Sequence, residues 1–343
     1  MVTQQDVARL AGTSSAVVSY VLNNGPRPVS DATRARVLAA ISSLDYRPNH
    51  AARALRSRKS RVLGLVVPDG SHPFFAELAR EVERAAYDCD HVLITGNSFS
   101  DAAREREYFA LFREHQVDGV ILTVAPQADP EPLRTAGIPV VLLDQPRPAD
   151  RIHSVCVDYA GAARAATQVL IDRGDTSIGF IGGNLGLPSA DDRYMGWEAA
   201  LGAASLDTAI CTRTAFTRLG GYTAGLDLLE RRHPPTALFI SSDQQAVGFL
   251  RAAAERNVLV PADVSVIAFD DSDDCLYTHP MLSTVRQPIS EIVATAFNLL
   301  LENQPQLAHV QVGWDVVLRA STGHQLSLGT ATSIRPAIST SPQ

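Results

Sequence analysis

A cluster of basic residues surrounds one leucine near the end of the first sixty residues. Leu55 stands among the following cations: Arg53, Arg56, Arg58 and Lys59. Arginine and lysine neutralise DNA phosphates, and minor-groove binders insert apolar side chains between base steps. The pattern predicts that Leu55 is such a wedge, flanked by phosphate-binding side chains. The alternative is a charged linker, which would not need the leucine.

Charge is divided unevenly along the 343 residues, whose overall net charge is −7. Residues 1–60 carry nine Lys/Arg and three Asp/Glu, a net of +6, whereas the remainder carries 21 basic and 34 acidic residues, a net of −13. A cationic head on an anionic body is typical of a protein in which only the head meets a polyanion. A chance fluctuation of composition is the alternative.

Three short helices are predicted before this cluster. Thr3, Ser14 and Ser30 can each cap a helix. A break containing Gly12 separates the first two helices, which is the helix-turn-helix arrangement. A further helix over 50–57, capped by Asn49, is too short to be stable alone in water, so it needs a partner.

The second predicted helix has two different sides. Val18, Val21 and Leu22 form an apolar side. The opposite side carries small or polar residues: Ser15, Ala16, Ser19 and Tyr20. Such a narrow face suits insertion into the major groove of DNA. The alternative is the solvated face of a generic three-helix bundle.

Beyond residue 60, apolar strands alternate with helices. Strands are predicted over 61–67, 91–97, 119–125, 139–144, 154–158, 177–183, 236–241, 264–270 and 282–287. Helices are predicted over 75–87, 101–115, 160–173, 190–203 and 244–257. This alternation indicates parallel sheets covered on both faces. Because about 270 residues exceed the usual size of one α/β domain, we expect two lobes with a ligand cleft between them.

Polar and aromatic side chains follow several of these strands. Ligands of such folds bind at the carboxyl ends of strands, so these residues are candidates for binding. They are His72, Phe74 and Phe75 after the first strand, Asp144 and Gln145 after the fourth, Ser242 after the seventh and Asp270 at the end of the eighth. Phe74, Phe75 or both can stack on a sugar ring, and plain core packing is the alternative for Phe75.

The stretches DVARLAGTSSAVVSYVLNN, VSDATRARVLAAISSLDYRPNHAARALRS and GLVVP closely resemble the LacI/GalR family of bacterial transcription regulators, and the resemblance extends from Thr3 to Arg319. It implies a major-groove helix-turn-helix headpiece and a hinge helix whose Leu55 intercalates in the minor groove. It also implies a body like a periplasmic sugar-binding protein, with lobes near 61–158 and 161–283. The chain would cross back near Gln287 to add a helix and a strand.

The resemblance also implies roles for individual residues. Arg193 matches an arginine that grips ligand hydroxyls, and Phe216 matches an aromatic wall of the ligand site. Gln287, where the chain would cross back to the first lobe, is the third residue that we expect in the ligand site on this basis. For Arg193, the alternative is a surface arginine at a helix start. The DNA contacts that we expect are Thr3, Ser14, Ser15, Ala16, Ser19, Tyr20, Asn23, Asn49, Ala52, Leu55 and Arg56.

Five positions depart from the common family pattern. Tyr20 replaces an arginine and Val17 a threonine in the helix that reads DNA. His72 and Ser242 each replace an asparagine, and Gln145 replaces an arginine, all in the ligand site. Since tyrosine cannot read guanine bidentately, the base preferred at that position is not assigned. Tyr20 can instead pack on a thymine methyl group or touch a phosphate.

The fold class predicted is a small all-α helix-turn-helix headpiece followed by a two-lobed, periplasmic-binding-protein-like α/β domain with parallel sheets. We expect the headpiece over 1–47, a hinge and linker over 48–60, the effector-binding and dimerisation domain over 61–326, and a disordered tail over 327–343. The sequence contains no motif for a calcium-binding loop, a dinucleotide-binding site or a P-loop.

The function predicted is a DNA-binding transcription regulator, a repressor, whose operator affinity depends on a small molecule, a sugar or related metabolite. Its partners would be a near-palindromic DNA duplex, the effector and a second copy of the chain, with no cofactor and no metal. The absence of a signal sequence and the scattered Cys89, Cys156, Cys211 and Cys275 lead us to expect a cytoplasmic protein. The alternatives are a solute-binding protein of a sugar uptake system and a carbohydrate-acting enzyme.

Overall fold

The computed structural model describes residues 2–23, 27–46, 60–123, 129–143, 152–301, 307–324 and 332–334; for Asn23 and the last segment it describes the backbone alone. The chain divides into two compact units, Met1–Ser60 and Arg61–Gln343. Among the described residues, every helix is too short or too polar to cross a membrane. The predicted hinge residues Asn49, Ala52, Leu55 and Arg56 lie outside the described residues.

In its described residues, the first unit contains three helices, α1 (Gln4–Leu10), α2 (Ser15–Asn23) and α3 (Asp31–Ser43). Thr3 and Asp6 form a reciprocal capping box at the start of α1. At the other two starts, Ser14 Oγ accepts from the N–H of Val17 at 3.3 Å and Ser30 Oγ from that of Thr33 at 3.4 Å. The three predicted caps are thus confirmed.

A small apolar core holds these helices together. Its buried members are Val7, Ala8, Ala11, Val18, Val21, Val37 and Ala40. Gln4 Nε2 also donates to the carbonyl oxygen of Ser15 at 3.0 Å, which ties α1 to the start of α2. The apolar side predicted for α2 therefore faces this core.

The second unit is built from alternating strands and helices. Its described strands are β1 (Val62–Val67), β2 (Val92–Asn97), β3 (Gly119–Leu122), β4 (Val140–Leu142), β5 (His153–Val157), β6 (Ile178–Gly182), β7 (Cys211–Arg213), β8 (Ala237–Ile240), β9 (Ser265–Asp270), β10 (Ser283–Arg286), β11 (His309–Val312), β12 (Asp315–Leu318) and β13 (Thr332–Ile334). Its described helices are α4 (Pro73–Asp88), α5 (Ala102–Glu114), α6 (Glu131–Thr135), α7 (Tyr159–Asp172), α8 (Pro188–Ala203), α9 (Arg218–Leu229), α10 (Asp243–Glu255), α11 (Asp274–Tyr277) and α12 (Ile289–Leu301). A 3-10 turn covers Ala320–Thr322.

These strands form two sheets, one in each lobe. The first lobe has the order β11-β5-β4-β3-β1-β2, and the second has β13-β12-β10-β9-β8-β6-β7. All pairings in the first sheet are parallel, while β12 pairs antiparallel with β10 and β13 in the second. All six residues of β9 are buried, as expected for a strand covered by helices on both faces.

Three of the differences between the structure and the sequence prediction concern a crossing between the lobes, an edge strand and the tail. The chain crosses between the lobes after β5, after β10 and again between β11 and β12, whereas only the first two crossings were predicted. The strand β7 is three residues long and only half-buried, so it has no apolar run to reveal it. In the tail that was expected to be disordered, Thr332–Ile334 pairs with the outer edge of β12, whose backbone groups would otherwise lack strand partners.

Helices α9 and α10 cross at close range in the second lobe. A Cβ atom placed on Gly248 would lie 1.9 Å from the carbonyl oxygen of Arg218, and one on Gly221 would lie 1.9 Å from that of Gln245. Only glycine fits between these backbones. The crossing helps to fix the start of α10, which borders the cavity described next.

Candidate functional site

A cavity of about 250 Å³ lies where the carboxyl ends of the two sheets face each other. It brings together eight of the ten residues that the sequence predicted for the ligand site: His72, Phe74, Phe75, Arg193, Phe216, Ser242, Asp270 and Gln287. The other two, Asp144 and Gln145, lie outside the described residues. Five of these eight residues, namely His72, Phe74, Phe75, Ser242 and Asp270, were selected because they follow or end predicted strands, and they do lie together at the strand ends.

Arg193, in the second turn of α8, is the central cation of the cavity. Its side chain is 7% exposed, so it is not the surface arginine that was the alternative. Nη1 donates to the carbonyl oxygen of Ser241 at 2.5 Å, and Nη2 lies 3.6 Å from Asp270 Oδ1. The guanidinium group also lies 3.9 Å from the ring centre of Phe269. These contacts fix its plane at the floor of the cavity.

Asp270 ends β9 with a backbone conformation that few side-chain-bearing residues adopt, with φ at 119°. Such strain stores about 1–3 kcal/mol and persists only where the surroundings enforce it. Gln287 Nε2 donates to Asp270 Oδ1 at 2.8 Å. Burial raises the pKa of Asp270, while the charge of Arg193 opposes this rise. The carboxylate is thus held between an arginine and a glutamine and faces the cavity.

His72 stands at the start of α4 on the first lobe. It precedes Pro73 at the amino end of the helix but makes no capping hydrogen bond with its side chain. Its ring lies 5.4 Å from that of Phe75. Burial lowers the pKa of His72, and the negative charge of Asp270 partly opposes this effect. The neutral ring offers a ligand one donor and one acceptor.

Three buried polar atoms of the cavity residues have no hydrogen-bond partner within the described part of the chain. They are His72 Nδ1, Arg193 Nε and Gln287 Oε1. A buried polar group without a partner costs about 1–3 kcal/mol. One of these atoms donates, one accepts, and the histidine nitrogen does either according to its tautomer. The set matches a ligand that both donates and accepts, as hydroxyl groups do.

Aromatic rings form the remaining walls. Phe74 and Phe75 meet edge to face at 5.3 Å on the first lobe, and Phe216 faces Arg193 at 5.7 Å on the second. Phe75 lines the cavity and also packs against the main core, so its packing is shown and its stacking on a ligand stays a prediction. Tyr159 adds a fourth ring from the first crossing segment. Such flat apolar walls suit the apolar face of a ring-shaped ligand.

Ser242 and Asp243 link the cavity to the network behind it. Ser242 lines the cavity and caps α10 by accepting from the N–H of Gln245 at 3.3 Å. Asp243 accepts from the N–H of Ser272 at 2.7 Å and from the hydroxyl of Thr284 at 2.8 Å. Burial and the neighbouring charge of Asp270 raise the pKa of Asp243 to about 8.

The cavity has polar lining residues that the sequence analysis did not identify. They are Asp69, Ser100, Thr123, Asn184 and Ser189. Asp69 closely follows the predicted strand 61–67, so a stricter use of the strand-end rule would have found it. Thr123 lies inside the predicted strand 119–125, and only the observed end of β3 at Leu122 places it at a strand end. The other three stand in loops or at a helix start, where no periodic pattern marks them.

In the first unit, the residues predicted to contact DNA lie at the starts of helices and along α2. Thr3, Ser14 and Ala16 are exposed, while Ser15, Ser19 and Tyr20 are half-buried. The side chain of Asn23 lies outside the described part of the chain. The predicted DNA-contacting side of α2 is therefore only partly exposed: Ala16 is exposed, whereas Ser15, Ser19 and Tyr20 are half-buried.

Known families match both units. Residues 3–49 match the family described as bacterial regulatory proteins of the LacI family, and residues 167–322 match a periplasmic binding protein-like domain. The chain is 36% identical to catabolite control protein A of Priestia megaterium over 87% of this chain and 91% of that protein. It is 34% identical to the transcriptional regulator GalR of Escherichia coli K12, over 89% and 91%.

Solved structures agree with these sequence matches. A complex of the transcriptional regulator CelR with cellobiose superimposes with a TM-score of 0.70 at 27% identity, covering 94% of this chain and 100% of that one. The lac repressor dimer bound to operator and an anti-inducer shares the fold, with a TM-score of 0.82 at 24% identity and coverage of 94% and 99%. This chain belongs to the LacI family of bacterial regulatory proteins and is a DNA-binding transcription regulator with an effector-binding domain.

Proposed function

We propose that this regulator binds a small polyhydroxylated molecule, a sugar or a close relative, in the cavity between its two lobes, and that the bound molecule changes its affinity for an operator. The observation that carries the proposal is a set of three buried atoms, His72 Nδ1, Arg193 Nε and Gln287 Oε1, that have no hydrogen-bond partner within the described part of the chain. A sugar hydroxyl can accept from Arg193 Nε and donate to Gln287 Oε1. Two relatives of similar fold were solved with cellobiose and with ribose.

The size of the cavity supports a compact effector. Its volume of about 250 Å³ is below the range of roughly 300–1,000 Å³ that is typical of sites for drug-sized ligands. Residues of both lobes line it, so an occupant would touch His72 on one side and Arg193 on the other. Binding would therefore favour one degree of lobe closure over others.

The operator would be read by two copies of the first unit. A helix-turn-helix binds a half-site, so a near-palindromic duplex requires a dimer. We propose that α2 enters the major groove and that Leu55 is a wedge in the minor groove. Replacement of Leu55 by alanine should then weaken binding to the operator much more than binding to random DNA.

Each lobe has an exposed apolar surface that suits a second copy. On the first lobe, Val92 of the edge strand β2 is 66% exposed. On the second, Leu219, which borders a groove between α9 and α10, is 70% exposed. A dimer could bury such exposed apolar side chains, and recognition of a palindrome by two headpieces makes a second copy of this chain the expected partner. Val92→Glu and Leu219→Glu should each shift the protein from dimer to monomer in sedimentation analysis.

A thermal-shift screen tests the effector proposal. The full chain would be heated with D-ribose, D-xylulose, D-galactose, D-glucose and cellobiose, because a ligand that binds the folded state raises its stability by mass action. At a hundredfold excess over Kd, a ligand adds about 2.7 kcal/mol. We expect at least one panel sugar to raise Tm in the wild type and not in the Gln287→Leu variant. An equal shift in both proteins would contradict the proposed site.

A further inference from the structure

Two exposed apolar side chains, which we name the rim pair, stand next to residues that line the cavity. Phe99 follows β2 on the first lobe, is 59% exposed and precedes Ser100, which lines the cavity. Leu185 follows β6 on the second lobe, is 75% exposed and lies between the lining residues Asn184 and Leu187. Neither member of the rim pair lines the cavity itself. A ligand that fills the cavity alone therefore leaves both side chains in water.

Phe99 has a backbone conformation that bulky residues rarely adopt. Its φ is 54° and that of Ser100 is 58°, so two successive residues lie in the left-handed region. The N–H of Phe99 donates to the carbonyl oxygen of Pro68 at 2.7 Å, and that of Asp101 donates to the carbonyl oxygen of Ser98 at 3.0 Å. Backbone strain of this kind persists where the surroundings enforce it and is concentrated at functional sites. The loop thus fixes the backbone of Phe99 beside Pro68, which lines the cavity.

The ring of Phe99 has one covered face. The guanidinium carbon of Arg104 lies 5.0 Å from the ring centre, and Arg104 Nε lies 4.0 Å from Asp101 Oδ2. A cation over an aromatic face is attracted by the ring quadrupole, so Arg104 helps to hold the orientation of the ring. Because 59% of the residue is exposed, the opposite face is open to water. Such an open aromatic face suits the apolar C–H face of a sugar ring.

Leu185 also stands on an anchored loop. The N–H of Gly186 donates to Asp191 Oδ2 at 3.0 Å, and Asp191 Oδ1 lies 3.0 Å from Arg213 Nη1. The φ of Gly186 is 83°, a conformation that glycine adopts without strain. Each of the two loops is thus tied to its own lobe and leaves an apolar side chain exposed beside the cavity lining. This arrangement offers apolar surface to the part of a ligand that extends out of the cavity.

We propose that the effector is a glycoside with at least two sugar rings. One ring occupies the cavity at Arg193 and Asp270, and a second ring packs on the open face of Phe99, with Leu185 contacting it from the second lobe. The cavity of about 250 Å³ is smaller than the roughly 300–1,000 Å³ typical of sites for drug-sized ligands, and a two-ring sugar is a ligand of that size. The second ring therefore extends to the rim pair. This inference rests on the proposed function, because it takes the cavity to be a sugar site.

Matched sugars test the number of rings. The full chain would be titrated in a calorimeter with cellobiose, maltose, lactose and melibiose, and with their component rings D-glucose and D-galactose. We expect at least one disaccharide to bind about tenfold more tightly than either of its component rings, because contacts with the rim pair add to those in the cavity. A one-ring sugar that binds as tightly as the best disaccharide would overturn the inference and leave the proposed function standing. Binding of no sugar at all would contradict the proposed function itself, and the inference with it.

Phe99→Asn removes the ring without endangering the fold, because asparagine accepts a φ of 54° more readily than phenylalanine does. We expect the variant to bind the best disaccharide roughly 2- to 13-fold more weakly, with an unchanged Kd for the component ring and no fall in Tm. Phe99→Tyr keeps the aromatic face and should bind the disaccharide as the wild type does. Unchanged disaccharide affinity in Phe99→Asn, or equal losses for both sugars, would overturn the role of the second ring.

Tyr87→Asn is the matched control. Tyr87 is 77% exposed and stands near the end of α4, about 20 Å along the helix from His72 at the cavity. This variant removes a ring of similar size from the same lobe, and we expect wild-type Kd values for both sugars. A loss equal to that of Phe99→Asn would show a general effect on the lobe and would overturn the assignment. Leu185→Asn should weaken the disaccharide alone, and unchanged affinity would overturn the contact from the second lobe.

Discussion

Replacement of Arg193 by lysine separates ligand recognition from structural support. Lysine keeps the positive charge beside Asp270, so the buried carboxylate retains a counter-ion. It loses the Nε donor and the planar group that lies 3.9 Å from the ring centre of Phe269. Loss of a hydrogen bond to a charged group costs about 1.5–3 kcal/mol, or roughly 10- to 150-fold in Kd. We expect effector affinity to fall by this factor.

Isothermal titration of the best panel sugar would measure the change. Arg319→Lys is the matched control, because Arg319 is also a buried arginine, lies 2.7 Å from Asp271 Oδ1 and does not line the cavity. It should retain wild-type affinity for the sugar. Arg193→Ala is a poorer probe, since it leaves Asp270 buried without its cation and destabilises the fold by about 3–5 kcal/mol. Wild-type affinity in Arg193→Lys would refute the assigned role of the guanidinium group.

Three further predictions follow from individual contacts. The raised pKa of Asp243 means that the folded state holds its proton more tightly than the unfolded chain, so the free energy of unfolding falls as pH rises from 3.8 to about 8; urea unfolding should show a smaller fall in Asp243→Asn, and an unchanged slope would count against this. Gly248→Ala places a Cβ atom 1.9 Å from the carbonyl oxygen of Arg218, so we expect a loss of about 1–3 kcal/mol in the same assay; a neutral result would mean that α9 and α10 separate freely. Tyr20→Arg should shift the preferred base pair toward G·C in duplexes selected from a random pool; an unchanged preference would remove Tyr20 from base contact.

Much of the fold could be predicted from apolar runs in the sequence and from their alternation with helices. All nine predicted strands are present. Eight are shorter by one to three residues, because apolar runs continue into the turns that end the strands, and β5 keeps its predicted length but begins one residue earlier. The family resemblance led us to expect one helix and one strand after the crossing near Gln287, and these correspond to α12 and β11. The strand β12 was not predicted, because it has only four residues and follows a further crossing. The third crossing has no local signal, since it depends on which sheet each short strand joins.

The site was less predictable than the fold. Asp270 could be assigned because it ends a strand, but its φ of 119° and its bond from Gln287 depend on packing between distant segments. Arg193 was expected in the site from the family resemblance alone, because nothing in the local pattern of a helix start shows that Phe269 and Ser241 would pack against it.

The central claim is that a molecule in the cavity and a duplex on the DNA-reading unit influence each other's binding. The most direct measurement is the Kd of a duplex that the wild-type protein selects from a random pool, with and without a saturating panel sugar, paired with the Kd of the sugar with and without the duplex. Reciprocal coupling predicts that both ratios differ from one by the same factor and that both return toward one in Arg193→Lys at the same sugar concentration. Tight binding of both partners, with each affinity independent of the other, would contradict the account.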